Sequence, residues 1–329
     1  MSNMKTDLQS QLRKIVNASG RMTKLGVSTQ SEYVQEAILY GSNNYFDMDE
    51  LYVKAGNYIA EMLEAEDAVV TSCASSGIVF TIAGLVCGSN HRLIENLHIE
   101  KDDIKKREVI IPKGHSVDYG VPVHTMIELG GGKVVEAGNA NKVTKLDVES
   151  YINENTIALF YVKSHHAVQK NMVSIKEMVE LSKKHQIPLI IDAAAEEDFK
   201  TYYQQGADFV VYSGAKALCG PSSGFVLCRN KEHSSNLRKQ YYGIGRSMKI
   251  GKENIFGLVA TGGKSATSSR RRGRGSPPQP CARAYRCASV SRIPGVLRSR
   301  QRAPYAPLPR PPRLQQAARP SSNPREPRA

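Results

Sequence analysis

Residues 190–198, IIDAAAEED, and residues 209–224, FVVYSGAKALCGPSSG, decide how this chain is read. Each is an apolar run that ends in a polar group: Asp192 closes the first and Ser213, Gly214 and Lys216 follow the second. Nearly continuous apolar runs of this length are the mark of strands buried on both faces of a mainly parallel sheet. In open α/β sheets ligands bind just beyond the carboxyl ends of the strands, so Asp192 and Lys216 are predicted to face one crevice. Taken singly, an Asp capping a helix or a Lys exposed at a strand end is the ordinary outcome, because charged side chains are mostly solvated. The pair in this order, with Ser-Gly-x-Lys running into a Gly-Pro-Ser-Ser-Gly turn, is much rarer.

Working outward, strands and helices alternate. An amphipathic opening helix and a polar, glycine-bearing segment precede a helix over Met48–Leu63, whose apolar residues Leu51, Ala55, Ile59 and Met62 recur at helical spacing. A short strand at 68–71 breaks at the polar turn 72–77 and leads into the apolar helix IVFTIAGLVCG. Further strands are predicted at 108–111, around 125–129, and at 157–163, with helices over 145–152, 174–185 and near Thr201. The predicted fold class is α/β, a mainly parallel sheet with helices on both faces.

A lysine amine that can condense with an aldehyde, and a carboxylate that keeps a pyridine nitrogen protonated, are the two groups a pyridoxal 5'-phosphate (PLP) site requires. Lys216 and Asp192 fit those roles, and Ser213, three residues before the lysine, is placed for the cofactor phosphate. Ser75, Ser76 and Gly77 open the helix after the first strand, where free N–H groups and the positive dipole end favour a phosphate; a plain serine cap is the alternative. His115 follows a strand and is the first candidate to stack on the cofactor ring. His165 and His166 follow another strand and could reach the ring substituents or the substrate; a structural role is equally open for each histidine. GLVATGGKS at 257–265 misses the P-loop pattern by one residue, and GGGK at 130–133 lacks the other glycines of a dinucleotide fingerprint.

The formal charge of +14 raises nucleic acid or a membrane as partners, but it is unevenly placed. From Gly262 onward one Lys and 15 Arg stand against the single acid Glu326, and 12 of the 16 prolines lie there. The first 261 residues are nearly neutral. The Arg/Pro/Ser stretch is predicted to be disordered, since it has no apolar face to offset its ordering entropy. It also lacks the interleaved aromatics of single-strand binders, so nucleic-acid binding through it is the rival reading, with no specific nucleic acid expected. Six cysteines without a CxxC pair indicate neither a disulfide framework nor a metal site, and no segment approaches the length and apolarity of a bilayer span. A cytoplasmic setting with no membrane partner is the expectation.

Read together, VNASGRMTKLGVST, GGGKVVEAGNANKVTKLDVESYI, SHHAVQK, IIDAAAEED, GADFVVYSGAKALCGPSSG and GIGRSMKIGKENIFGLVA resemble, in order and over about residues 11–260, the selenocysteine synthase-like branch of the fold type I PLP enzymes. Within it the chain is most similar to the D-glucosaminate-6-phosphate ammonia-lyase group, because the lysine sits in SGAK and there is no room for a long N-terminal tRNA-binding domain. The resemblance implies an aspartate-aminotransferase-like fold and PLP-dependent elimination on a phosphorylated amino sugar acid, giving 2-dehydro-3-deoxy-gluconate 6-phosphate and ammonia. Transfer or racemisation on the same scaffold is the alternative. It also implies a homodimer or larger homo-oligomer acting on a small-molecule substrate. Arg246 and Lys249 in GRSMKIGKE are candidates for the substrate's phosphate or carboxylate, with a helix-surface role equally open. The expected organisation is an N-terminal arm over 1–45, a PLP-binding large domain over 46–260, and an aberrant tail over 261–329. That tail is read as a frameshifted gene end standing in place of the family's small C-terminal domain.

Overall fold

The structure, a computed structural model, describes residues 10–269, with side chains described as far as residue 261. Helices α1 (Glu32–Asn43) and α2 (Met48–Leu63) precede strand β1 (Asp67–Thr71), which is followed by α3 (Ala74–Cys87) and α4 (His91–Glu100). Next come β2 (Glu108–Pro112), α5 (Val123–Leu129), β3 (Lys133–Ala137), α6 (Lys145–Glu149), β4 (Thr156–Val162) and α7 (Ile175–His185). Strand β5 (Leu189–Asp192), α8 (Thr201–Gln205), β6 (Phe209–Ser213), β7 (Gly224–Cys228), α9 (Lys231–Lys239) and α10 (Lys252–Ser269) complete the described chain. The helix starts follow local chemistry. Asp47 accepts from the Glu50 amide to open α2, and Ser174 with Glu177 forms a reciprocal capping box at α7. Three basic residues, Lys183, Lys184 and His185, sit in the last turn of α7, where they complement the carbonyl end of the helix dipole.

The seven strands form one sheet in the order β1-β7-β6-β5-β4-β2-β3. All neighbouring pairs are parallel except β1 with β7 and β7 with β6, so six strands point one way and β7 alone runs back. Every residue of β1, β4, β5, β6 and β7 is buried, which accounts for their unbroken apolar runs. The two faces can be told apart at the β6–β7 pair. Val211 and Val226 lie opposite each other under Gly77 of α3, whereas Tyr212 and Phe225 stack on the other face beside Ile59 and Leu63 of α2 and Leu258 of α10. Helices therefore cover both faces, as the apolar runs require.

Three elements differ from the sequence reading. Residues 125–129 are not a strand but the second half of α5, which Pro122 caps and which buries Val123 and Ile127 one helical turn apart. The strand is β3, eight residues further on than predicted, at the sheet edge and only partly buried. Helix α1 lies where a polar segment was expected: Val34 and Ala37 pack with Ala260 of α10, and the rings of Tyr40, Phe46 and Phe256 meet at 4.9–6.1 Å. The opening helix falls largely on residues outside the described range, and no helix continues beyond Gln11 before Thr23. Helix α10 runs on to Ser269; the rest of the Arg/Pro-rich stretch expected to be disordered lies outside the described residues.

Strand β1 is tied to α9 by a buried ion pair. The Arg238 guanidinium donates to Asp67 Oδ1 at 2.6 Å and Oδ2 at 2.7 Å and to the Ala68 carbonyl at 2.9 Å, while Ser234 Oγ donates to Asp67 Oδ2 at 2.6 Å. Burial alone would push the Asp67 carboxyl up, but the Arg238 fork and Ser234 hold it below its ordinary value.

Candidate active site

The carboxyl ends of the six like-directed strands collect the loops that carry nearly every candidate residue. Their ends are held level by backbone bonds: the Lys163 amide donates to the Asp192 carbonyl at 2.8 Å and the Ala193 amide to the Val211 carbonyl at 3.0 Å. Beyond β6 the chain folds back on itself, with the Gly214 amide on the Ser223 carbonyl and the Gly220 amide on the Gly214 carbonyl, both at 2.8 Å. Lys216 rides half-buried on this turn and Ser213 is buried at the strand end. Gly224, opposite both Ser213 and Thr71, touches the Cys73 backbone so closely that a Cβ would come within 2.6 Å of it. This contact seats the start of α3 against the end of β6.

Asp192 is 7% exposed, and its Oδ1 accepts from the Ala194 amide at 3.1 Å. Burial raises its pKa, opposed by that hydrogen bond and by the positive charge of Lys216. The sheet thus brings Asp192 and Lys216 into one electrostatic environment. His166 is exposed and close enough to Lys216 that the lysine charge, after slight burial and the neighbouring His165 ring, lowers its pKa. At the start of α3, Cys73 rather than a serine is the cap, accepting from the Ser76 amide at 3.4 Å. The Ser76 hydroxyl donates to the Cys73 carbonyl at 2.8 Å and is committed to this turn; Ser75 is half-buried and Gly77 packs on the sheet.

His115 requires a correction. Its ring is fully buried, with Nδ1 accepting from the Val162 amide at 3.3 Å and Nε2 bonded to the Val168 carbonyl at 3.0 Å. It meets Tyr161 edge-on at 4.3 Å and burial lowers its pKa to about 4. With both nitrogens used and no exposed face, it ties two loops together and cannot stack on a ligand. Arg246 and Lys249 are exposed at the turn before α10; the Arg246 charge acts on Tyr52 near the start of α2, and neither residue is among the groups that act on Asp192.

Two features were not anticipated. Residues 21–30 lie along the lysine turn: Ser28 Oγ donates to the Ala215 carbonyl at 2.8 Å, Gln30 Nε2 to the Gly220 carbonyl at 3.2 Å, and Arg21 pairs with Glu197 at 3.0 Å. Tyr119, on the loop after β2, carries a buried hydroxyl that feels the charge of Asp192 and the groups of Cys73 and Ser75, yet that oxygen makes no hydrogen bond of good geometry. Burial and the Asp192 charge push the phenol up to about 12. A 650 Å³ cavity lies elsewhere, lined by Thr156, His185, Pro188 and His233, which mark the amino ends of β4 and β5. Among the described residues no group of three or more His, Cys, Asp or Glu is placed to hold a metal ion, and no single helix is long and apolar enough to cross a membrane.

The profile of the L-seryl-tRNA selenium transferase (SelA) family matches residues 15–264. The chain belongs to the SelA family. Among curated SelA-like relatives, a D-glucosaminate-6-phosphate ammonia lyase of Salmonella typhimurium is 44% identical over 248 residues, 75% of this chain and 66% of the relative. A 5'-C-glycyluridine monooxygenase-decarboxylase of Streptomyces sp is 38% identical over 247 residues, 74% of this chain and 61% of the relative. An L-seryl-tRNA(Sec) selenium transferase of Clostridium botulinum is 26% identical over 285 residues, 79% and 58%. The chain therefore spans 58–66% of the length of these relatives. A solved D-glucosaminate-6-phosphate ammonia-lyase superposes with a TM-score of 0.75 at 41% identity, covering 82% of this chain and 71% of that one. A PLP-bearing SPT structure superposes at 0.54 with 14% identity, 74% and 61%, which places the chain in the fold shared by PLP enzymes of fold type I.

Proposed function

We propose that the chain is a PLP-dependent ammonia-lyase whose substrate is a phosphorylated amino sugar acid such as D-glucosaminate 6-phosphate. The observation that carries this reading is the juxtaposition of a buried carboxylate, Asp192, and a turn-borne amine, Lys216, beyond adjacent parallel strands and beside the start of α3. The residues present fit the cofactor. A buried carboxylate whose pKa is raised by burial gains most from a cationic N–H donor, which a protonated pyridine nitrogen provides. The N–H groups opening α3, with Ser75 and Ser213 near by, suit a phosphate, and the unpartnered Tyr119 hydroxyl leaves a donor to spare. When bound, the cofactor supplies an electron-accepting ring.

The chain's own groups do the remaining work. Lys216 would hold the cofactor aldehyde and, once released by the substrate amine, take the proton from the substrate's Cα. Asp192 would hold the ring nitrogen in its protonated form. His166, exposed and within the electrostatic influence of Lys216, would reach the ring substituents or the substrate, and Arg246 and Lys249 would be the cations offered to the substrate's phosphate or carboxylate. Loss of the β-hydroxyl as water and hydrolytic release of the nitrogen as ammonia balance to a 2-oxo acid, 2-dehydro-3-deoxy-gluconate 6-phosphate. The test adds PLP to the purified full chain. A visible absorbance band near about 400 nm is expected, lost in Lys216→Ala, with ammonia and 2-oxo acid released from D-glucosaminate 6-phosphate. Because a 38% identical relative carries a decarboxylase name, carbon dioxide is measured in parallel; carbon dioxide without ammonia overturns the lyase reading.

A further inference from the structure

Tyr119 is not among the motif residues, and its half-buried ring packs against the core. Its loop leaves the end of β2, crosses a bridge between Asp118 and Pro122, and returns into α5, so that the phenol points back to the crevice while Asp118 and Gly120 stay exposed. The groups that act on its hydroxyl are Asp192, Ser75, Cys73 and Asp118. The oxygen therefore senses both the carboxylate assigned to the ring nitrogen and the helix start assigned to the phosphate. It is sealed from solvent and lacks a partner of good geometry. Buried hydroxyls are almost always paired, because an unmade bond forfeits the group's hydration without return. A phenylalanine would fill the same volume without that penalty, so a hydroxyl kept here needs a ligand to bond to.

We infer that Tyr119 is a cofactor-binding residue whose hydroxyl donates a hydrogen bond to the phosphate of bound PLP. The inference rests on the PLP reading above and extends it to a residue that no sequence pattern marks. Far from titrating near neutral pH, the phenol stays protonated and so acts as a donor, as a phosphate oxygen requires.

The experiment compares two probes on the full-length apoprotein, PLP and pyridoxal, which lacks the phosphate, read by absorbance and by quenching of protein fluorescence. Wild type should prefer PLP; Tyr119→Phe should shrink that preference by about tenfold or more, equivalent to about 1.4 kcal/mol, with pyridoxal affinity nearly unchanged. The apo melting temperature of Tyr119→Phe should equal or exceed that of wild type, because the substitution removes an unpaired buried group. Three results would overturn the inference: an unaltered preference, an equal loss for both probes, or an apo variant less stable than wild type, which would give the hydroxyl a structural partner. If wild type forms no visible band with PLP, the cofactor reading itself fails and this inference with it. If wild type forms the band and Lys216→Ala loses it while Tyr119→Phe keeps its preference, only the tyrosine assignment falls.

Discussion

Replacing Arg238 by Met leaves the carboxylate of Asp67 without its guanidinium partner, in a position where the aspartate is 5% exposed. Four hydrogen bonds from Arg238 disappear, two to the carboxylate, one to the Ala68 carbonyl and a longer one to Ser234 Oγ at 3.5 Å, and only Ser234 and the Ala68 amide remain to Asp67. Removing one partner of a buried pair costs about 3–5 kcal/mol, most of it the uncompensated charge rather than the lost contact. For a body of this size each kcal/mol moves the midpoint by roughly 2–4 °C, so a fall of about 6–20 °C is expected in a thermal melt. The double variant Asp67→Leu/Arg238→Met removes charge and counter-charge together and should recover most of the loss. The sign of the pH dependence follows from the depressed Asp67 carboxyl. Its contribution is present above its unfolded value of 3.8 and is lost as pH falls through the lower folded one. In Arg238→Met burial dominates, the folded value rises above 3.8, and the variant should lose its deficit as the pH drops and the carboxyl protonates. A single variant as stable as wild type, or a double variant as weak as the single, would refute this account of the pair.

Other substitutions probe the loops around the crevice. His115 is neutral when folded, with its pKa lowered to about 4, so the unfolded chain binds its proton first and stability should fall by about 3 kcal/mol between pH 6.5 and 4. His115→Gln should flatten that part of the curve of urea midpoint against pH. Gly56 faces the Ala68 carbonyl across the α2–β1 contact with no space for a Cβ; Gly56→Ala should cost about 1–3 kcal/mol, seen as a lower denaturant midpoint. Ser28→Ala combined with Gln30→Ala removes both side-chain bonds from the arm to the lysine turn. At roughly 0.5–1.5 kcal/mol each, their loss should bring earlier protease cleavage N-terminal to Glu32 while the body is cut no faster.

What the sequence disclosed depended on how local each signal is. Strands β4, β5 and β6 were legible because burial on both faces demands uninterrupted apolar runs, and the strand ends carried Asp192 and the lysine turn with them. The segment at 125–129 misled because its apolar residues satisfy either period over so short a span; Pro122 was the signal that a helix begins there. Strand β7 follows so directly on the Gly-Pro-Ser-Ser-Gly turn that the sequence reading placed no strand there, and its reversed direction depends on pairing that no local pattern encodes. Edge strand β3 is half-exposed and lacks the run that marks its neighbours. Ser28, Gln30 and Tyr119 were invisible for a different reason: each acts on groups far away in the chain, and a lone polar residue carries no trace of its distant partner. His115 shows the converse, a histidine well placed in the sequence whose two nitrogens the fold spends on backbone.

The reversed strand also sets a timetable for synthesis. Strand β1 lies at the sheet edge and pairs with β7 alone, from Asp67 with Cys228 to Thr71 with Gly224. A nascent chain therefore makes its first strand about 160 residues before the strand it pairs with. At roughly 5–20 residues per second that is a wait of about 8–30 s on the ribosome, during which β1 has no strand to pair with. The parallel strands from β2 to β6 can assemble in the meantime. The half of the crevice that begins at α3 closes last, when residues 224–228 emerge and Arg238 follows them to fasten β1 in place.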